Sequence, residues 1–173
     1  MQSPGVVERM PSSIHLEIAR LVLSQRWAAV ATLESGAPVS SMVAYATEPG
    51  LGGLLFFISQ LSAHTRNMLQ DPRVSLAITT PDTGDGDPQL LPRVSLQGRV
   101  TEIPRESPEF EAAGAQYVQR FPDSEMRFQL GDFKLLRFVV DEARYVGGFG
   151  RAVSLSGDEL REAARAVEGE TQA

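Results

Sequence analysis

The chain has no cysteine in 173 residues. That excludes disulfides, thiolate nucleophiles and cysteine-ligated zinc or iron–sulfur centres. Histidine is nearly as scarce. His15 and His64 are the only two, too few for a histidine-built metal site, and no metal is expected. His15 lies off any apolar stripe and is expected to be exposed and without chemistry. No apolar run approaches the roughly 20 residues that span a bilayer. The opening MQSPGVVERMPSS lacks the apolar core of a secretory leader. A soluble, cytoplasmic protein is therefore expected. Positive charge is also in short supply: 16 Lys+Arg against 22 Asp+Glu leave a net charge of −6. This argues against general nucleic-acid binding, which needs a basic footprint. The chain suits one domain with a sizeable core. Residues 1–11 read as a flexible arm, 12–168 as the domain, and 169–173 as a frayed tail.

What is present centres on Leu54 to Thr79. Leu54–Ile58 is a short run apolar on both faces, which predicts a strand covered on both sides. Ser62 is a good N-cap for a short helix that carries His64, Thr65 and Arg66 in its first turn, with Leu61, Met68 and Leu69 as its apolar stripe. Asp71-Pro72 ends that helix, since proline disfavours helical backbone in the residue before it. A strand follows, with Val74, Leu76 and Ile78 on one face. A helix start offers unpaired N–H groups and the positive end of the macrodipole. Ser62, Thr65 and Arg66 add donors and a cation, and this combination can hold a phosphate. The same residues equally describe an ordinary capped helix with a solvated arginine.

Before this stretch, Ile14, Ile18, Leu21 and Val22 mark one face of a helix over about 12–25. Trp27–Leu33 and Pro38–Thr47 form a hairpin whose loop is slightly longer than the tightest kind. Neither face of the second strand is strongly polar, so both are expected to be covered. After it, PDTGDGDPQ is a loop. Asp82, Asp85 and Asp87 miss the calcium-loop spacing, with Arg93 where the closing glutamate should stand. Leu90–Ile103 alternates an apolar face with a polar, basic one (Arg93, Ser95, Gln97, Arg99), either solvated or meeting an anionic ligand or a partner. A helix over 108–121 is expected, with Ser107 as N-cap, Pro108 at its first position and Phe110, Ala113, Tyr117 and Phe121 on its packed face. Residues 125–132 carry no clear pattern. Phe133–Val140 reads as a strand. YVGGFGRA, Tyr145–Ala152, is extended and glycine-interrupted, and makes a poor phosphate loop. Ser156 and Glu159 form a capping box for a last helix with Leu160, Ala163, Ala164 and Val167 inward, fraying from Glu168.

Five segments in this order carry a family resemblance: Pro38–Met42, Leu55–Ser59, Ser62–Asn67, Asp71–Val74 and Arg93–Val100. Together they resemble the flavin-binding split barrel of the pyridoxamine 5'-phosphate oxidase superfamily. SxLxxHTRN followed by DPRVSL, and ARYVGGFGRA at Ala143–Ala152, make it most similar to the haem-utilisation branch. The resemblance covers about residues 12–168. It implies an α+β fold, a six- to seven-stranded, mostly antiparallel split β-barrel with flanking helices. It also implies a homodimer with two flavin sites at its interface. Carried over by position, Ser40, Ser41 and Met42 lie along the flavin ring, and Ile58 and Ser59 meet the ring or ribityl chain. Ser62, His64, Thr65 and Arg66 hold the phosphate, and Arg93 reaches from the partner chain. His64 stands where the oxidase has a lysine, and the oxidase's C-terminal tryptophan and arginine are not recognisable, so pyridoxamine phosphate oxidation is not expected.

Three functions follow from the resemblance. The main expectation is an FMN-dependent oxidoreductase on an unidentified small molecule, with FMN rather than FAD because no dinucleotide fingerprint is present. No catalytic side chain is identified. The alternative is haem binding or breakdown. That branch ligates iron through a late histidine, and this chain has none after His64. The third is a non-catalytic binding module in the same pocket.

Overall fold

The computed structural model describes residues 11–148 and 150–172. The N-terminal arm expected over 1–11 therefore lies almost wholly outside the described residues.

Helix α1 (Ser13–Ser24) starts where Ser12 Oγ accepts from His15 N. Ile18, Ala19, Leu21 and Val22 are buried on its inner face. His15 is half-buried rather than exposed, because α1 packs against the last helix. Strands β1 (Trp27–Glu34) and β2 (Ala37–Ala44) pair from Trp27↔Ala44 to Glu34↔Ala37. Their loop is only Ser35-Gly36, both at positive φ (51° and 83°). This is the tightest hairpin connection, shorter than expected, and Gly36 suits it because a positive φ costs glycine least.

The strand expected over 38–47 is broken. Tyr45 leaves the ladder, donates its hydroxyl to Val22 O at 2.8 Å, and is fully buried. A two-residue strand, β3 (Ala46–Thr47), resumes beyond it. Strand β4 (Leu54–Ser59) is buried on both faces, as its composition required. Leu54 and Phe56 enter the large core, while Leu55 and Phe57 enter a smaller one. Helix α2 (Ala63–Gln70) follows and ends at Asp71. Of its expected stripe, only Met68 is buried, and Leu61 and Leu69 are 74% and 44% exposed. Thr65 and Asn67 are buried instead, and Asn67 Nδ2 donates to Thr32 Oγ1 at 3.2 Å. The short helix is thus anchored through polar groups.

Strands β5 (Arg73–Thr79) and β6 (Arg93–Ile103) alternate as expected, with Val74, Leu76, Ile78, Val94, Leu96 and Val100 inward. Leu90 falls in a 3₁₀ turn before β6. Helix α3 (Phe110–Arg120) starts two residues later than expected. Residues 104–109 form turns, in which Ser107 N donates to Pro104 O and Phe110 N to Ser107 O, so Pro108 precedes the helix. Pro122–Gln129 is a 3₁₀ segment. Its Phe128 stacks on Phe57 with ring centroids 3.7 Å apart, which closes the smaller core.

Strand β7 (Phe133–Val146) runs well past Val140. Asp141 is bulged out opposite Gln97/Gly98, and the ladder resumes at Glu142↔Gln97. The bulge bends the strand and lets the sheet curl. The ends of YVGGFGRA belong to β7 and β8 (Ala152–Ser156), which pair antiparallel. The capping box at Ser156 and Glu159 opens α4 (Gly157–Gln172), with Ser156 N donating to Glu159 Oε2 at 2.8 Å. This helix does not fray at Glu168, whose carboxylate accepts from Gly50 N at 2.8 Å.

All pairings are antiparallel, in the order β2-β1-β5-β6-β7-β4-β3, with β8 added to β7. The eight strands curl around the large core under α1 and α4, in an α+β split barrel. Among the described residues no helix is long and apolar enough to cross a membrane.

Candidate functional site

The outer face of the sheet is built from short side chains. The pairing aligns Met42, Ala29, Ala77, Ser95 and Arg144 in one row, and Ser40, Ala31, Ser75, Gln97 and Glu142 in the next. Beyond them stand Thr79, Arg93 and Val146. Alanine and serine leave the middle low. Trp27, 56% exposed, and Met42, 42% exposed, rise on one side, and Arg144 and Val146 border the other. The loop after β5 closes one end through Pro81, Asp82, Pro88 and Leu91. The result is an open trough of about 1070 Å³ with Arg26, Arg93 and Arg144 on its border. Arg93 Nη1 donates to Gln89 O at 2.8 Å. Arg144 is held by Glu142 at 3.0 Å. Arg26 stacks over the Phe121 ring at 5.8 Å.

The first half of β2 is exposed from Ala37 to Ser40, and Met42 is exposed beyond it. The expectation that both faces of this strand are covered does not hold within one chain: the curl of the sheet leaves its outer face open.

The residues expected to hold a cofactor divide between two places. Ser41 turns inward, and its Oγ lies 3.0 Å from His64 Nδ1. Burial pushes the His64 imidazole below its usual range. Ser62 occupies the N-cap of α2, but its hydroxyl makes no capping bond. Thr65 is fully buried and its Oγ1 has no hydrogen-bond partner among the described residues. Arg66 is exposed and folds back to donate to Leu61 O. Ile58 packs against the large core. The Ser59 hydroxyl donates to Asp132 Oδ2 at 2.7 Å and accepts from Leu61 N at 3.2 Å. Ser41, Ile58, Ser59, Ser62, His64, Thr65 and Arg66 thus gather around the start of α2. Ser40, Met42 and Arg93 lie instead on the outer face, Met42 and Arg93 in the trough itself. The sequence reading missed Arg26, Trp27 and Arg144 as trough residues, although Trp27 on the same strand face as Ala29 and Ala31 was a readable signal. Among the described residues no cluster of acidic or histidine side chains is arranged to hold a metal, and the loop aspartates 82, 85 and 87 are exposed.

The family profile "CREG, beta-barrel" matches residues 12–161. The chain belongs to the CREG β-barrel family. It is 26% identical over 155 residues to the heme oxygenase HutZ of Vibrio cholerae, covering 88% of this chain and 87% of that one. It is 28% identical over 127 residues to a non-canonical heme oxygenase, HOZ, of Arabidopsis thaliana chloroplasts, covering 73% of this chain and 37% of the relative. Its structure matches that of a heme binding protein from Mycobacterium smegmatis with a TM-score of 0.77 and 30% identity, over 87% of this chain and 60% of the other. The chain therefore spans 37% of the chloroplast protein and 60% of the mycobacterial one. The β-barrel family match and the likeness to haem oxygenases and a haem-binding protein agree with the split-barrel, haem-utilisation resemblance carried by the sequence.

The two places offer different chemistry. Among the described residues, the start of α2 presents one unbonded hydroxyl that is not sealed, at Ser62, and the half-buried His64 imidazole. Its arginine is turned away and its threonine is sealed. The trough presents a low, largely apolar floor bordered by cations, which suits a flat apolar plate carrying carboxylates. Neither histidine lines the trough.

Proposed function

We propose that this chain binds haem, with the trough on the outer face of the sheet as its binding surface. The observation that carries the reading is the trough's make-up: a floor of Ala29, Ala77 and Ser95, walls of Trp27 and Met42, and Arg26, Arg93 and Arg144 on the border. Haem is a planar apolar macrocycle with two carboxylates. Apolar walls remove its faces from water, and guanidinium forks pair with its carboxylates. The haem functions of the relatives support the same choice. When bound, haem supplies iron-centred chemistry. The residues of this chain bind and orient the macrocycle. The trough offers no imidazole to the iron, so no side chain is assigned as its ligand or as an acid–base group.

An open face this large on a half-exposed strand also supports a second copy of the chain as its cover, in a symmetric dimer with a site shared between the two protomers. An FMN-dependent oxidoreductase is the second reading, supported by the unspent Ser62 hydroxyl at the start of α2.

Haemin titration of the purified protein tests the main reading. A Soret band saturating at one haemin per chain is expected, with light scattering giving the mass of two chains. A protein that carries flavin and shows no saturable Soret band sinks the haem reading. A monomer that binds haemin normally removes the dimer.

A further inference from the structure

One end of the trough is held from behind by three side chains of three different elements. Tyr145 of β7 is 1% exposed within the large core, and its hydroxyl donates to Glu17 Oε1 of α1. The other oxygen of Glu17 accepts from Arg151 Nη2, in the turn before β8, at 2.8 Å. Gly147 completes the arrangement, since a Cβ there would stand 2.5 Å from the Tyr145 hydroxyl oxygen. Its N–H donates to Arg151 O at 2.9 Å.

The same strand end faces the trough on its other side. Alternation places Arg144 and Val146 outward, where both line it, and Val146 pairs with Arg93. A Cβ on Gly148 would lie 3.6 Å from Leu90 O, so the hairpin abuts the loop that Arg93 grips through Gln89 O. Hairpin, loop and Arg93 form one rim, and Glu17 ties that rim to the helical layer beneath. The carboxylate is held below its usual range, chiefly by the Tyr145 hydroxyl, and burial with the nearby Glu17 charge pushes Tyr145 up to about 12.

We infer that Glu17 is a positioning residue for the trough: by holding Tyr145 and Arg151 together it fixes the β7–β8 hairpin and with it the rim against which the ligand is retained. The role of the clamp follows from its contacts, while its consequence for haem rests on the proposed function.

The test compares Glu17→Gln and Tyr145→Phe with the unaltered protein by hydrogen exchange without ligand and by haemin dissociation. Loss of a charge-assisted hydrogen bond should speed exchange at Gly147, whose N–H donates to Arg151 O, roughly 10- to 100-fold, with amides of β5 unchanged. Haemin should leave each variant faster, and the tyrosinate titration of Glu17→Gln should move to lower pH. Unchanged exchange in both variants overturns the clamp. Accelerated exchange with unchanged haemin dissociation overturns its role at the trough. If the unaltered protein binds no haemin, the role at the trough falls with the haem reading, while the exchange measurement still decides the clamp. Should Glu17→Gln fail to fold, Tyr145→Phe, which keeps the ring in the core, decides between these outcomes.

Discussion

Arg93 and Arg66 are both exposed arginines near expected site residues, and replacing each with alanine separates the two candidate sites. Arg93 borders the trough and, among the described residues, spends only Nη1, on Gln89 O and Leu91 O at 2.8 and 3.4 Å. Its remaining N–H groups are available to a carboxylate. A hydrogen bond to a charged group contributes about 1.5–3 kcal/mol net, so Arg93→Ala should weaken haemin binding about 10- to 100-fold. Arg93→Lys keeps the charge but loses the fork and should fall between. Arg66 lies outside the trough and donates to Leu61 O, so Arg66→Ala should leave haemin affinity within about twofold, the usual range for a surface change away from the site. The assay is a Soret titration of all three variants at fixed ionic strength, with thermal melts to verify folding. Normal haemin binding by Arg93→Ala would refute the trough as the site. Selective loss of FMN but not riboflavin binding in Arg66→Ala would move the site to the start of α2.

Two further outcomes test the scaffold. Gly98 sits at the bulge, where a Cβ would stand 2.0 Å from Val139 O, a backbone atom; Gly98→Ala should cost at least about 1–3 kcal/mol in urea denaturation, because a ladder carbonyl cannot step aside. The Ser156 backbone N–H and hydroxyl hold Glu159 below its ordinary 4.5; the stability it supplies is present above that unfolded value and lost as pH falls through the lower folded one, so Ser156→Ala should lower the melting temperature at pH 7 and reduce its drop between pH 5 and 3.

Much of the scaffold was legible because its signals are local. The alternation of Arg93–Ile103, the doubly apolar Leu54–Ile58 and the capping box at Ser156 each depend on residues within a few positions. The misses have tertiary causes. Tyr45 breaks its strand because its hydroxyl finds Val22 O. Phe133–Val146 continues past Asp141 because a bulge absorbs that residue against β6. Asn67 is buried in α2 because Thr32 on another element satisfies it. The site follows the same division. The cluster around Ser62–Arg66 was visible as a motif. The trough is a product of register, with Ala29, Ala77 and Ser95 brought into one row by three separate strands, and no short stretch of sequence encodes it.

The pairing of β4 with β7 has a kinetic side. Phe56 is matched with Leu136, so the most apolar strand finds its main partner only after most of the chain has been synthesised. At 5–20 residues per second the wait is on the order of ten seconds. During that time Leu-Leu-Phe-Phe-Ile is a bare, β-prone segment without charge or proline, the kind of sequence that templates intermolecular sheets. Only β3 can pair with it early, through Ala46↔Leu55 and Thr47↔Leu54, and that contact is too short to shield it. Yield during expression should therefore depend on how soon β7 arrives and stays, so that lesions in β7 reduce recovery of soluble chain by more than their cost to the finished fold.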